Sequence, residues 1–318
     1  MTGALAVRAD APRLAPSLDR GAKPSPRELG ALAAACLHLE VETYPKPGLV
    51  SQIDNGSHSD MDAALLHRSA RALEPFFVTL AEAGAAGADM GSLRAIGVAA
   101  EAVMLKATSG VNTHRGAIFG LGLLCAAAGA GAAAPLGLTV RARYGRAIAE
   151  GPVPLRSHGA EARRRFGASG ARGEAAAGFP AVYRTGAPAL VDGLKRSGGD
   201  FEAARVQAVF ALIAGVTDTN LLHRAAAAGL AFAQSEARGF LRRGGVGAAD
   251  WRDEAARIHA AFVARRLSPG GSADLLAFSL FVHAVEQLPT RLNPSVRPFE
   301  SGPISSQSND FIPPESGR

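Results

Sequence analysis

Apolar residues recur at three- and four-residue intervals along most of this chain, and the spacing predicts helices at Pro26 to Val41, Met61 to Ala83, Ser92 to Ala107 and His114 to Ala128. The same period returns at Phe201 to Gly215, Leu221 to Arg238, Asp250 to Ala264 and Ser272 to Leu288. Alternating apolar and polar runs are missing and β-branched residues are sparse, so the expected class is all-α. Glycine and proline punctuate Pro135 to Gly199, which reads as short helices mixed with long loops. Residues 1–25 and 291–318 are rich in Pro, Ser, Gly and Asp without apolar period and read as flexible arms. One large helical domain over 26–290 is the expected organisation, because no fixed repeat and no central linker divides it.

One stretch challenges that picture. Gly116 to Val140 runs for twenty-five residues without a charge, long enough for a membrane span. It is mostly Ala and Gly, holds Pro135 and lacks aromatic belts, so a helix packed inside a bundle is the better reading. Composition agrees with a folded globular chain: 318 residues, 47% hydrophobic and 19% charged, with a mean hydropathy of +0.10. Cys36 and Cys125 form no disulfide framework and no metal cluster, and residues 1–20 contain no secretory apolar core; a cytoplasmic location is expected.

The net charge of +6 and pI near 9.9 admit nucleic acid, an anionic surface or a polyphosphate ligand as partner. Of the 34 basic residues only Lys23, Lys46, Lys106 and Lys195 are lysine, a bias that a GC-rich genome produces by itself. Aromatic content of 6% and basic residues interleaved with Glu and Asp argue against a nucleic-acid-binding protein. P-loop and complete dinucleotide signatures are absent.

Polar residues instead gather in short segments, most of them just ahead of a predicted helix. Tyr44 to Val50 fixes Lys46 between two prolines, either a helix-ending turn or a stiff loop offering one cation to a phosphate. In His58-Ser59-Asp60-Met61-Asp62, Ser59 and Asp62 match a capping box, while His58 and two carboxylates suit Mg²⁺ or acid/base work. Thr108 to Gly116 brings small residues, Asn112, His114 and Arg115 to a helix start, an arrangement of an anion site. Arg172 and Glu174 sit in a glycine-rich loop that is either a salt-bridged turn or a mobile cover. Asp218 precedes Asn220, His223 and Arg224, which share one helix face. Ser272 is expected to cap the last helix with Asp274 in its first turn.

These segments resemble the triphosphoribosyl-dephospho-coenzyme A synthase family, which serves citrate lyase and malonate decarboxylase. The likeness rests on PKPGLVSQIDNGSHSDMD (45–62), TSGVNTHRGAIFGLGLL (108–124), ARGEAAAGFPAV (171–182), DTNLLHR (218–224) and LSPGGSADLLA (267–277). The chain departs from the family pattern at Ser109, Ala225 and Ala226, where glycine is common. The resemblance implies an enzyme that takes ATP and 3′-dephospho-CoA, joins them through C1′ of the ATP ribose and releases adenine. The product passes to a downstream transferase and an acyl carrier protein, of malonate decarboxylase if the GC-rich composition decides the branch. It implies phosphate contacts from Lys46, Arg172, Arg224 and the 108–116 loop, where His114 or Arg115 meets the triphosphate and Asn112 assists. His58, Asn220, His223 and Ser272 join the substrate-binding set. Asp60, Asp62, Glu174 and Asp218 are the carboxylates for catalysis, with Asp62 or Asp218 the expected base, and Asp60, Asp62, Asp218 and Asp274 the expected Mg²⁺ ligands. The rival enzyme reading is an all-α Mg²⁺-dependent nucleotide or ADP-ribosyl glycohydrolase.

Overall fold

The computed structural model describes residues 23–131, 133–152 and 170–286; of the proposed arms at 1–25 and 291–318, only residues 23–25 fall within these. Among the described residues the chain is a single helical domain of eleven α-helices with no strand. In order they are α1 (Pro26–Val41), α2 (Ala63–Ala85), α3 (Met90–Ala107), α4 (Arg115–Gly129), α5 (Leu136–Glu150) and α6 (Gly170–Ala176). There follow α7 (Ala187–Arg196), α8 (Phe201–Gly215), α9 (Thr219–Arg242), α10 (Trp251–Ala264) and α11 (Gly270–Glu286). A short π-helical turn at Val182–Gly186 leads into α7.

The core forms where α4 is surrounded. α4 packs on α2, α11, α1 and α3, and nearly every residue from Ala117 to Gly129 is buried. Its small residues permit this. A Cβ on Gly84 of α2 would lie 1.9 Å from the Ala126 carbonyl, and one on Gly129 would lie 1.9 Å from the Ala81 carbonyl. The two backbones therefore meet directly, which explains the small residues at these contact positions. That stretch divides into α4 and α5 around Ala130 to Pro135, and no helix among the described residues is long and apolar enough to cross a membrane. Cys36 and Cys125 are both buried and unpaired.

Three expectations are corrected. α2 starts at Ala63, not Met61, and Ser59 does not cap it; Asp62 is the N-cap and accepts from the Leu65 amide at 2.7 Å. A carboxylate in extended backbone directly before the helix makes the better cap. α11 starts at Gly270, so Ser272 is inside the first turn and Asp274 beyond it. The 135–199 region contains a full helix, α5, which buries Leu136, Val140, Tyr144 and Ile148 on one face.

Two of the departures from the family pattern occur where glycine is favoured sterically. Ser109 has φ 55°, and Ala226, at a kink within α9, has φ 52° and ψ −158°.

Candidate active site

A cavity of about 1250 Å³ opens where the starts of α4, α9 and α11 approach the 42–62 loop and α6. The chemistry-bearing segments, scattered over more than two hundred residues of sequence, meet here. His58 and Asp60 line it from the first loop, and Asn112, His114 and Arg115 from the start of α4. Arg172 and Glu174 contribute from α6, and Asn220, His223 and Arg224 from α9, with Asp218 just before it. Asp274 of α11 completes the set. Lys46, Asp62 and Ser272 do not form part of the wall.

Asp218 is the organising carboxylate. It is 1% exposed, and its Oδ1 accepts from the amides of Asn220 (2.9 Å) and Leu221 (3.4 Å), capping α9. Its Oδ2 accepts from the Ser272 amide (2.8 Å) and hydroxyl (3.0 Å), capping α11 as well. The Gly270-Gly271 start of α11 is a poor helix initiator by propensity, and this borrowed cap is what lets the helix begin there. Burial pushes the Asp218 pKa up, while the four donors pull it back.

Asp274 has no hydrogen bond among the described residues. Burial, with Glu40 and Asp218 nearby, drives its pKa well above the usual carboxylate range. Its Oδ2 packs so closely against Gly116 that a Cβ there would lie 2.0 Å away, which places the carboxyl at the first turn of α4. Glu40 also faces the cavity, and its Oε1 accepts from Lys46 Nζ at 2.5 Å, as does its own carbonyl at 2.6 Å. Lys46, 1% exposed, thus stands behind Glu40, and burial lowers its pKa.

Donors occupy the other sides. Asn112 Oδ1 accepts from the Arg115 amide at 3.3 Å, holding the start of α4, and Arg115 pairs with Glu101. Arg224 spans the carbonyls of Ser57 and Arg266 at 3.4 Å each. His58 joins Ser268 Oγ (2.8 Å) and Asp60 (3.2 Å). Arg172 donates to the carbonyls of Ala149, Gly151 and Pro152, clasping the end of α5. Glu174 accepts from the Ala181 amide at 3.0 Å, and burial raises its pKa.

Sequence reasoning missed Glu40, Arg94 and Arg184, all in the cavity wall. Glu40 carried a usable signal, an acidic residue on the buried face of a helix six positions before a lone lysine. Arg94 and Arg184 are ordinary arginines among thirty and carried none.

No group of three His, Cys, Asp or Glu among the described residues is arranged to hold a metal alone. Mg²⁺ keeps few protein ligands and takes the rest from phosphate and water, so one or two carboxylates such as Asp274 and Glu40 fit it when a polyphosphate is present.

The cleft of this all-α domain is lined by arginines and carboxylates together. The chain belongs to the ATP:dephospho-CoA triphosphoribosyl transferase (CitG) family, whose model matches residues 26–291. It is 38% identical over 295 residues to the probable 2-(5''-triphosphoribosyl)-3'-dephosphocoenzyme-A synthase of Stutzerimonas stutzeri, covering 90% of this chain and 98% of the relative. Against the 2-(5''-triphosphoribosyl)-3'-dephosphocoenzyme-A synthase of Pectobacterium atrosepticum it is 40% identical over 266 residues, 79% of this chain and 86% of the relative. The probable synthase of Azotobacter vinelandii is likewise 40% identical over 266 residues, 81% of this chain and 91% of the relative. No solved structure matches the chain.

Proposed function

We propose that this chain transfers the triphosphoribosyl group of ATP to the 2′-hydroxyl of 3′-dephospho-CoA and releases adenine. The observation that carries the reading is Asp274: a partly exposed carboxyl with no hydrogen bond among the described residues, lining a cavity whose other walls carry Arg115, Arg184 and Arg224. A volume of about 1250 Å³ exceeds the ~300–1,000 Å³ of single-ligand pockets and suits two nucleotides side by side.

In the reaction the 2′-oxygen forms a bond to C1′ while the bond from C1′ to the adenine nitrogen breaks, its electron pair leaving with adenine. Asp274 accepts the hydroxyl proton, and adenine takes up one proton to depart as the neutral base, so the count closes. The pKa raised by burial, Glu40 and Asp218 makes Asp274 a stronger proton acceptor than an exposed carboxylate. Asp62, spent on capping α2, and Asp218, with both oxygens engaged, are less suited to this role. Arg115, Arg184 and Arg224 bind and orient the phosphates. Mg²⁺ carried by the phosphates, with Glu40 as its protein carboxylate, would supply neutralisation of the triphosphate charge.

The reading extends to a cytoplasmic enzyme supplying the acyl carrier protein of malonate decarboxylase, supported by the buried, unpaired cysteines and the Arg-over-Lys bias. Incubation with ATP, Mg²⁺ and dephospho-CoA, with products separated by chromatography and weighed by mass spectrometry, tests it. Free adenine and the joined product are expected; ADP or AMP without adenine would overturn it. Adenine released without dephospho-CoA would instead make the chain a glycohydrolase.

A further inference from the structure

Behind the start of α4 lies a short relay that neither the family match nor the reaction explains. The Thr113 hydroxyl donates to Ser69 Oγ of α2 at 2.7 Å, and Ser69 Oγ lies 2.7 Å from His114 Nδ1. Ser69 is fully buried and His114 is 5% exposed. Nε2 of His114 is buried and has no hydrogen-bond partner among the described residues.

In the sense where Thr113 donates its hydroxyl proton to Ser69, the Ser69 proton goes to Nδ1 of His114. A neutral imidazole that accepts at Nδ1 carries its proton on Nε2. The ring is neutral: burial, then the nearby His38, Lys46 and His67, hold its pKa at about 3. The unpaired nitrogen is therefore a donor, turned away from Ser69 in a residue that lines the cavity. His114 is the N-cap residue of a fifteen-residue helix, whose N-terminal partial positive charge favours an anion.

We propose that Ser69 is a positioning residue that locks His114 as the Nε2–H tautomer, so that the ring donates a hydrogen bond to a polyphosphate oxygen of the ligand. The inference rests on the proposed transfer only for the identity of that ligand. A neutral donor satisfies the anion without requiring a second buried charge beside Lys46.

The test is long-range ¹H–¹⁵N spectroscopy of full-length protein with ¹⁵N-labelled histidine, the His114 signal being assigned by its loss in His114→Gln. The free protein is expected to show Nε2 protonated and Nδ1 bare, and both sodium tripolyphosphate and Mg-ATP should move the Nε2–H resonance. Ser69→Ala should mix the tautomers and raise KM for ATP at least ~10-fold, the scale of losing a group that orients a ligating histidine. Ser69→Thr, which keeps the hydroxyl, should restore the single tautomer. Nδ1 protonated in the free wild-type protein would overturn the relay, and a resonance unmoved by tripolyphosphate would overturn the polyphosphate contact. If tripolyphosphate moves the resonance but no adenine is ever released, the His114 assignment holds and the transfer reading falls.

Discussion

Asp218 and Ser272 are fifty-four residues apart in sequence, yet one oxygen of Asp218 accepts both the Ser272 amide and the Ser272 hydroxyl while its other oxygen caps α9. One carboxylate thus sets the starts of the two helices that carry Arg224 and Asp274 into the cavity. Asp218→Asn turns an amide NH₂ toward one pair of donors and leaves them unsatisfied. We expect a loss of roughly 2–3 kcal/mol in urea unfolding, the scale of hydrogen bonds to a charged group. Activity should fall with it, because both helix starts shift. A variant of wild-type stability would show that the double cap does not hold the site together.

Asp274 behaves in the opposite sense. Its folded pKa is raised, so the folded state holds a proton that the unfolded state has lost, and its contribution to stability declines as pH climbs from about 4, the unfolded carboxyl value, through the raised one. Asp274→Asn removes that decline. The variant should be at least as stable as wild type at pH 8, with a flatter dependence of Tm on pH, while turnover drops at least ~100-fold. Thermal scans across pH 4 to 9 beside single-point rates check both halves.

Lys46 read from sequence is a phosphate ligand, and in the fold it is the buried counter-ion of Glu40. Lys46→Met strands that carboxylate, and the expected cost is about 3–5 kcal/mol, the penalty for breaking a buried pair. The double variant Lys46→Met, Glu40→Gln should recover part of it. An increase in KM for ATP with unchanged stability would return Lys46 to the phosphates.

Ala226 holds a backbone conformation open mainly to glycine, two residues after Arg224. Ala226→Gly should stabilise the protein by about 1 kcal/mol, the relief of strain exceeding the added entropy of the unfolded chain. Chemical denaturation measures it; destabilisation would mean that the kink carries no strain.

The fold was legible wherever a helix brought its own start signal. α1 and α8 match the sequence reading to the residue, because Ser25 with Glu28 forms a capping box ahead of Pro26 and Asp200 caps Phe201. α11 was read two residues late because its cap comes from Asp218, far away in sequence. α5 escaped because three arginines and two glycines interrupt a buried face of only four large residues. The polar segments were visible as breaks in apolar helices, and most of them do converge on the cavity. Their division of labour was not visible, since it depends on partners: Glu40 needs Lys46, and Asp274 is distinguished by having no hydrogen bond among the described residues. Within the uncharged stretch that resembled a membrane span, Ala117 to Gly129 is the close-packed centre of the bundle.

The central claim is a transfer in which adenine leaves only when the acceptor hydroxyl is present. Quantifying adenine against dephospho-CoA consumed, in parallel reactions with and without dephospho-CoA, tests it most directly. The account predicts one adenine per dephospho-CoA consumed and none in its absence. Adenine formed at the same rate without dephospho-CoA, or dephospho-CoA consumed without adenine, would contradict it.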